Sequence, residues 1–233
     1  PPVPPPLPPL HSRPLLHEPL ELFELGNFLQ PQRIRPPHQH RRRMSSQDWC
    51  GAGNKSSVGE HVLPRGSACT LTTPVVVSNG TSLRLASAAP PPGATAASTL
   101  SRAIISGADT TLVFYVTGDL TLVDIIIERG KSSHGGCLLV YSDGTFYARA
   151  HIVESLLRRC AATAGGGAAF VHGSRTSMVL EGSVAEGNSA PHGGALFIEN
   201  GALVSIVSSS TTTMTRLVSN TATSYGGGVY LRD

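Results

Sequence analysis

Long hydrophobic runs are missing from this 233-residue chain: it contains no stretch of 18 apolar residues, so none of it reads as a membrane-spanning helix. No amino-terminal secretory segment is recognisable either. The sequence starts at Pro1 and stops five residues after its last glycine doublet, so the expectation is a fragment, in which that absence does not bear on location. Cysteine is sparse. Cys50, Cys69, Cys137 and Cys160 stand 19, 68 and 23 residues apart, with no Cys-x-x-Cys and no histidines at ligand spacing, which excludes a metal framework and leaves no cofactor to assign. Strong charge of one sign is also lacking. The net charge is +3, and the one basic tract, Arg41-Arg42-Arg43 beside His38 and His40, is partly balanced by Glu18, Glu21 and Glu24 and has no aromatic platform with it, so nucleic acid is not an expected partner.

What the chain does have is glycine, placed in doublets. Gly135-Gly136, Gly166-Gly167, Gly193-Gly194 and Gly227-Gly228 are each followed by short apolar segments, and their second glycines lie 31, 27 and 34 residues apart. That interval suits one turn of a solenoid stacked on its neighbour, with the irregularity placed in loops. After the doublets the residues alternate, as in Ala195-Leu196-Phe197-Ile198 and Val229-Tyr230-Leu231, which is strand periodicity rather than helical. Further walls are expected at Thr145–Ala150, Ser177–Leu180 and Ala202–Val207. Scarce aromatics and abundant glycine fit narrow coils filled by Val, Ile, Leu and Ala. A hairpin at Asn200-Gly201 is the local alternative, but hairpins do not explain recurrence of the whole unit.

Two doublets follow turns that begin alike, Asn188-Ser189-Ala190 and Asn220-Thr221-Ala222, and in the preceding turn Cys160 takes the Asn position. Stacked turns place Asn188 and Asn220 one above the other, where their amides are expected to bond turn backbone in adjacent coils. On these residues, with Gly193-Gly194-Ala195-Leu196-Phe197, the segment from about Thr110 to Asp233 resembles the parallel β-helix repeats of polymorphic outer membrane proteins and autotransporter passengers. The resemblance implies an all-β fold, a right-handed single-stranded parallel β-helix of the pectin-lyase-like kind. It also implies an extracellular or cell-surface setting. Proteins of this appearance include adhesins, secreted surface proteins and polysaccharide-active enzymes.

The rest divides by composition. Residues 1–44 are proline-rich and basic at their end and read as a disordered tail, residues 45–69 as an irregular linker or N-terminal cap, and residues 70–233 as the β-helix, truncated at its C-terminal end. Pro90 to Gly93 must form a loop, because proline cannot donate to a ladder. Leu120 to Ile127 reads as one heavily buried strand. Cys50 and Cys69 are candidates for a bridge pinning the linker to the first turn. Cys137 and Cys160 read as small buried residues, with a bridge across one coil as the alternative. The sequons Asn54-Lys55-Ser56 and Asn79-Gly80-Thr81 permit glycosylation on a eukaryotic secretory route.

Chemistry is thinly signalled. Asp119 and Asp124 are the catalytic candidates, but an interval of five sends them to opposite faces of a continuous strand. Asp124 and Glu128 share a face roughly 13 Å apart, too far for either hydrolytic geometry. His134 and His192 each precede a doublet and are expected two coils apart, as exposed turn residues. His151 and His172 read as surface. The function expected is therefore non-catalytic: adhesion or scaffolding at a surface, with glycans or surface glycoproteins as partners and end-to-end association through uncapped coils. Exposed Tyr115, Tyr147 or Tyr225 on one face would mark a carbohydrate binder, whereas Tyr230 is expected to pack. The alternative is a polysaccharide lyase or hydrolase.

Overall fold

The computed structural model describes residues 49, 58–90, 102–210 and 213–233. The proline-rich tail, Cys50 and the first sequon lie outside them, as does most of the loop at Pro90. The described residues belong to one compact unit.

Among the described residues, twenty-two short strands wind through six coils. In the first two coils these are β1 (Gly59–Leu63), β2 (Ala68–Thr70) and β3 (Val75–Val77), then β4 (Ser82–Ser87), β5 (Ala103–Ser106) and β6 (Phe114–Val116). A fourth wall then joins. The third coil has β7 (Asp119–Val123), β8 (Ile125–Glu128), β9 (Lys131–His134) and β10 (Leu138–Tyr141); the fourth has β11 (Ala148–Val153), β12 (Leu156–Arg158), β13 (Ala161–Gly165) and β14 (Ala169–His172). The fifth has β15 (Thr176–Glu181), β16 (Val184–Glu186), β17 (Ser189–His192) and β18 (Leu196–Glu199), and the sixth β19 (Leu203–Val207), β20 (Arg216–Val218), β21 (Thr221–Tyr225) and β22 (Val229–Arg232). Strands of successive coils pair in parallel throughout. They build sheet A (β1-β4-β7-β11-β15-β19), sheet B (β2-β5-β8-β12-β16-β20), sheet C (β3-β6-β10-β14-β18-β22) and sheet D (β9-β13-β17-β21). The molecule is a parallel β-solenoid.

Alternation sets the core. Leu83, Leu120, Ala150 and Met178 form one inward file of sheet A, and Phe114, Leu138, Ala169 and Leu196 one of sheet C, all buried. Each fully buried leucine in these files contributes about 1.5–3 kcal/mol. Because successive coils repeat the pattern, the inward files join into one hydrophobic cluster that runs from Leu63 to Ala202.

The corners differ in kind. Sheet B always passes to sheet D through two residues, Arg129-Gly130, Arg159-Cys160, Gly187-Asn188 and Ser219-Asn220, the first of each pair at positive φ. Sheet D passes to sheet C through three, starting with Gly135, Gly166, Gly193 and Gly226, all at φ of 60–69°. Only glycine holds that backbone cheaply, and a Cβ there would strike the carbonyl three residues on. The length differences read from the doublets arise instead mainly in the corners flanking sheet A, such as Ser142–Tyr147 and Ser208–Thr215.

Several expectations need correction. Coil one starts at Gly59, not at residue 70, because His61 is buried on the inward file and the polar residues around it hide the alternation. The fourth doublet in register is Gly226-Gly227, with Gly228 aligned to Ala195, which makes the last interval 33 residues from Gly193 to Gly226. The expected strand over residues 120–127 is broken at Asp124, whose φ of 56° turns the chain from sheet A to sheet B. Asn200-Gly201 turns sheet C into sheet A and closes no hairpin. Cys137 and Cys160 are buried as expected but are also disulfide-bonded, with Cα atoms 5.5 Å apart, tying the D-to-C corner of one coil to the B-to-D corner of the next. Cys69 is disulfide-bonded too, and the described residues contain no free cysteine.

Candidate ligand-binding face on sheet C

On the outward positions of sheet C the register aligns Val76, Tyr115, Leu139, Phe170, Phe197 and Tyr230 in one file. Stacked strands lie about 4.8 Å apart, so the file runs roughly 24 Å along the solenoid axis. Outward residues of a β-helix normally meet water; here Phe170 and Phe197 are only 5% and 4% exposed. Neighbouring rings cover them. Phe170 packs against His134 at 4.8 Å and edge-on against Phe197 at 5.1 Å, and Phe197 meets Tyr230 at 5.0 Å. Space for this comes from Gly165, where a Cβ would collide with the Phe197 ring.

Two rims border the file. On the sheet D side, His134, Gly165, His192 and Tyr225 are in register, and His192 stacks on Tyr225 at 5.5 Å and Tyr230 at 5.3 Å. The other rim is Tyr141, His172, Glu199 and Arg232. His172 stacks on Tyr141 at 5.0 Å, its Nδ1 lies 2.9 Å from Glu199 Oε1, and Arg232 pairs with the same carboxylate while its guanidinium sits 5.3 Å from the Phe197 ring centre. Tyr115, His134, Leu139, Tyr141, Phe170, His172 and Glu199 line a depression of about 340 Å³. Such a mix, apolar ring faces with a few convergent polar groups, is the usual make-up of a small-ligand site.

The histidines therefore differ from their sequence reading. His134 and His192 do stand two coils apart with Gly165 between them, but as half-buried members of a ring stack. His151 has Glu181 at 2.8 Å, and His172 has Glu199. Register, which the sequence hides, supplies both partners. Tyr115 lies in the depression and Tyr230 packs in the file. Tyr225 is 62% exposed at the rim, while Tyr147, 57% exposed, sits apart in the corner before β11 between the guanidinium groups of Arg149 and Arg175.

The catalytic candidates lie elsewhere. Asp119 is on sheet A, 3.6 Å from Arg149, both exposed. Asp124 is held at its corner by Arg65 and by Arg102, the latter at 2.7 Å. Glu128 pairs with Arg158 on sheet B.

The turn residues make two ladders inside the corners. Asn188 Oδ1 accepts from the Cys160 N–H at 2.9 Å, and its Nδ2 donates to the Leu157 carbonyl at 3.1 Å and to Asn220 Oδ1 at 2.9 Å. Asn220 repeats the clamp on the Asn188 N–H and the Ala185 carbonyl. At Cys160 the disulfide takes the place of the amide, and in the coil before it the position is Gly130. The second ladder was missed in the sequence: the hydroxyl oxygens of Ser155, Ser183 and Thr215 accept from the N–H groups of Ile125, Ser155 and Ser183 at 3.0–3.1 Å. Its only signal was a hydroxyl residue at the end of the A-to-B corner in the last three coils, Ser155, Ser183 and Thr215.

Compared with protein-family models, with curated proteins and with solved structures, the chain matches none.

Proposed function

We propose that this protein is a non-catalytic extracellular or cell-surface β-helix module for adhesion or scaffolding, and that it binds glycans along the outer face of sheet C. The observation that carries the reading is the groove between the two rims, where the half-buried rings of Tyr115 and Tyr141 offer apolar faces to a sugar and His172 and Glu199 stand ready to bond its hydroxyls. Paired cysteines support an oxidising compartment. The Asn-Ser-Ala and Gly-Gly-Ala turns support a place beside the surface proteins of the polymorphic outer membrane and autotransporter type. Commitment of Asp119 and Asp124 to arginines supports a structural use of both carboxylates. Further partners would be surface glycoproteins.

The alternative, a polysaccharide lyase or hydrolase, draws on the Glu199–His172 pair in the same groove. One experiment separates them: the intact chain is screened against polysaccharides and matrix glycoproteins while turnover of the same polysaccharides is followed. Saturable binding without cleavage, weakened at least tenfold by Tyr115→Ala, supports the module. Cleavage abolished by changing Asp119, Asp124 or Glu199 overturns it, and so does absence of binding across the screen.

A further inference from the structure

We infer that Asn79 is an N-glycosylation site, an inference that rests on the extracellular reading above. Asn79 occupies the exposed turn Ser78–Thr81 between β3 and β4, closed by the Thr81 N–H to the Ser78 carbonyl at 3.0 Å. The amides of Asn188, Asn200 and Asn220 are engaged with backbone, an imidazole or each other, and none is followed by a hydroxyl residue two positions on. Asn79 differs on both counts: it projects from the surface, and Thr81 completes Asn-Gly-Thr.

The surroundings accept a sugar. Nothing lies within 4 Å of a Cβ placed on Gly80, so the tip of the turn is open, while its ends, Ser78 and Thr81, pack on Gly118. Beside it is an open depression of about 360 Å³ bordered by Glu60, Gly80, Thr81, Ser82 and Arg84, within the range of roughly 300–1,000 Å³ usual for small-ligand pockets. Glu60 and Arg84, paired at 3.5 Å, offer an acceptor and a donor to the first sugar. In the reaction the Asn79 Nδ2 attacks C1 of an oligosaccharide carried on a lipid pyrophosphate. The Nδ2–C1 bond forms, the bond from C1 to the pyrophosphate oxygen breaks, the lipid pyrophosphate leaves, and the amide nitrogen gives up one proton.

The test is secretion of the full chain from a eukaryotic host behind a cleavable leader, followed by thiol counting and peptide mapping with and without peptide-N-glycosidase. The expected result is a glycan on the Asn79 peptide, lost completely in N79Q and in T81A and kept in T81S, which preserves the hydroxyl and its bond to Ser78. A secreted product with all cysteines paired and Asn79 bare overturns the site and leaves the extracellular reading standing. Free thiols at Cys137 and Cys160 in the secreted product overturn both.

Discussion

Asn188 shows how one side chain can join three coils. Its amide meets the backbone of the coil before it and the Asn of the coil after it, and it is fully buried. Replacing it with alanine strips partners from the Cys160 N–H and the Leu157 carbonyl, and each buried orphan costs about 1–3 kcal/mol. Asn188→Ala should therefore lower the denaturant midpoint by an amount equal to about 2–4 kcal/mol with an unchanged m-value, measured by urea unfolding. A surface residue supplies a pH marker. The Asp143 carboxylate accepts from the Thr145 hydroxyl and N–H at 2.6 and 2.8 Å, which holds its pKa below the ordinary aspartate value. Its contribution to stability is thus complete above the unfolded aspartate value and lost as pH falls through the lower folded one. A carboxyl-carbon NMR titration should find that low midpoint in the wild type and a higher one in Thr145→Val.

At the scale of elements, the four walls were legible in very different degrees. Sheet C and the D-to-C corner were plain in the sequence, because the backbone there demands glycine and the strand after it alternates. Sheet B was harder to read: no glycine doublet announces its three- and four-residue strands, and β8 ran on from β7 because Asp124 looks like any strand residue until its φ is known. The groove was hidden for a related reason. Tyr115, Phe170 and Tyr230 are scattered through the sequence and share a file only once register is set. The Cys137–Cys160 link, between two neighbouring corners, depends on the same register. It closes a sequence interval of 23 residues, for which loop-closure entropy gives about 3 kcal/mol. The double variant C137A/C160A should lose about that much stability and become insensitive to reductant at this site; thermal melts with and without reductant check both.

For the whole molecule, the solenoid divides into a fixed half and a free half. The B-to-D and D-to-C corners keep their lengths in all four complete coils, while the corners on either side of sheet A absorb the insertions. Six Gly/Ser residues added after Ser209 should leave soluble yield and melting temperature nearly unchanged, since lengthening a flexible loop costs well under 1 kcal/mol per doubling. The same six placed between Gly193 and Gly194 should prevent folding, because those amides bond the coil beyond them, through the Tyr225 and Gly226 carbonyls. Circular dichroism and soluble yield of the two variants would show the contrast.

The disulfide between successive corners has a mechanical consequence. Pulled by its ends, a stack of parallel rungs yields by peeling, one coil releasing after another, each bearing load along its own backbone. The covalent tie shunts that load past residues 138–159, so this segment never extends. Compared with the C137A/C160A variant, a stretched oxidised chain would therefore stop about 75 Å short, at roughly 3.3–3.6 Å per residue, with that withheld length confined to the coil beside the groove.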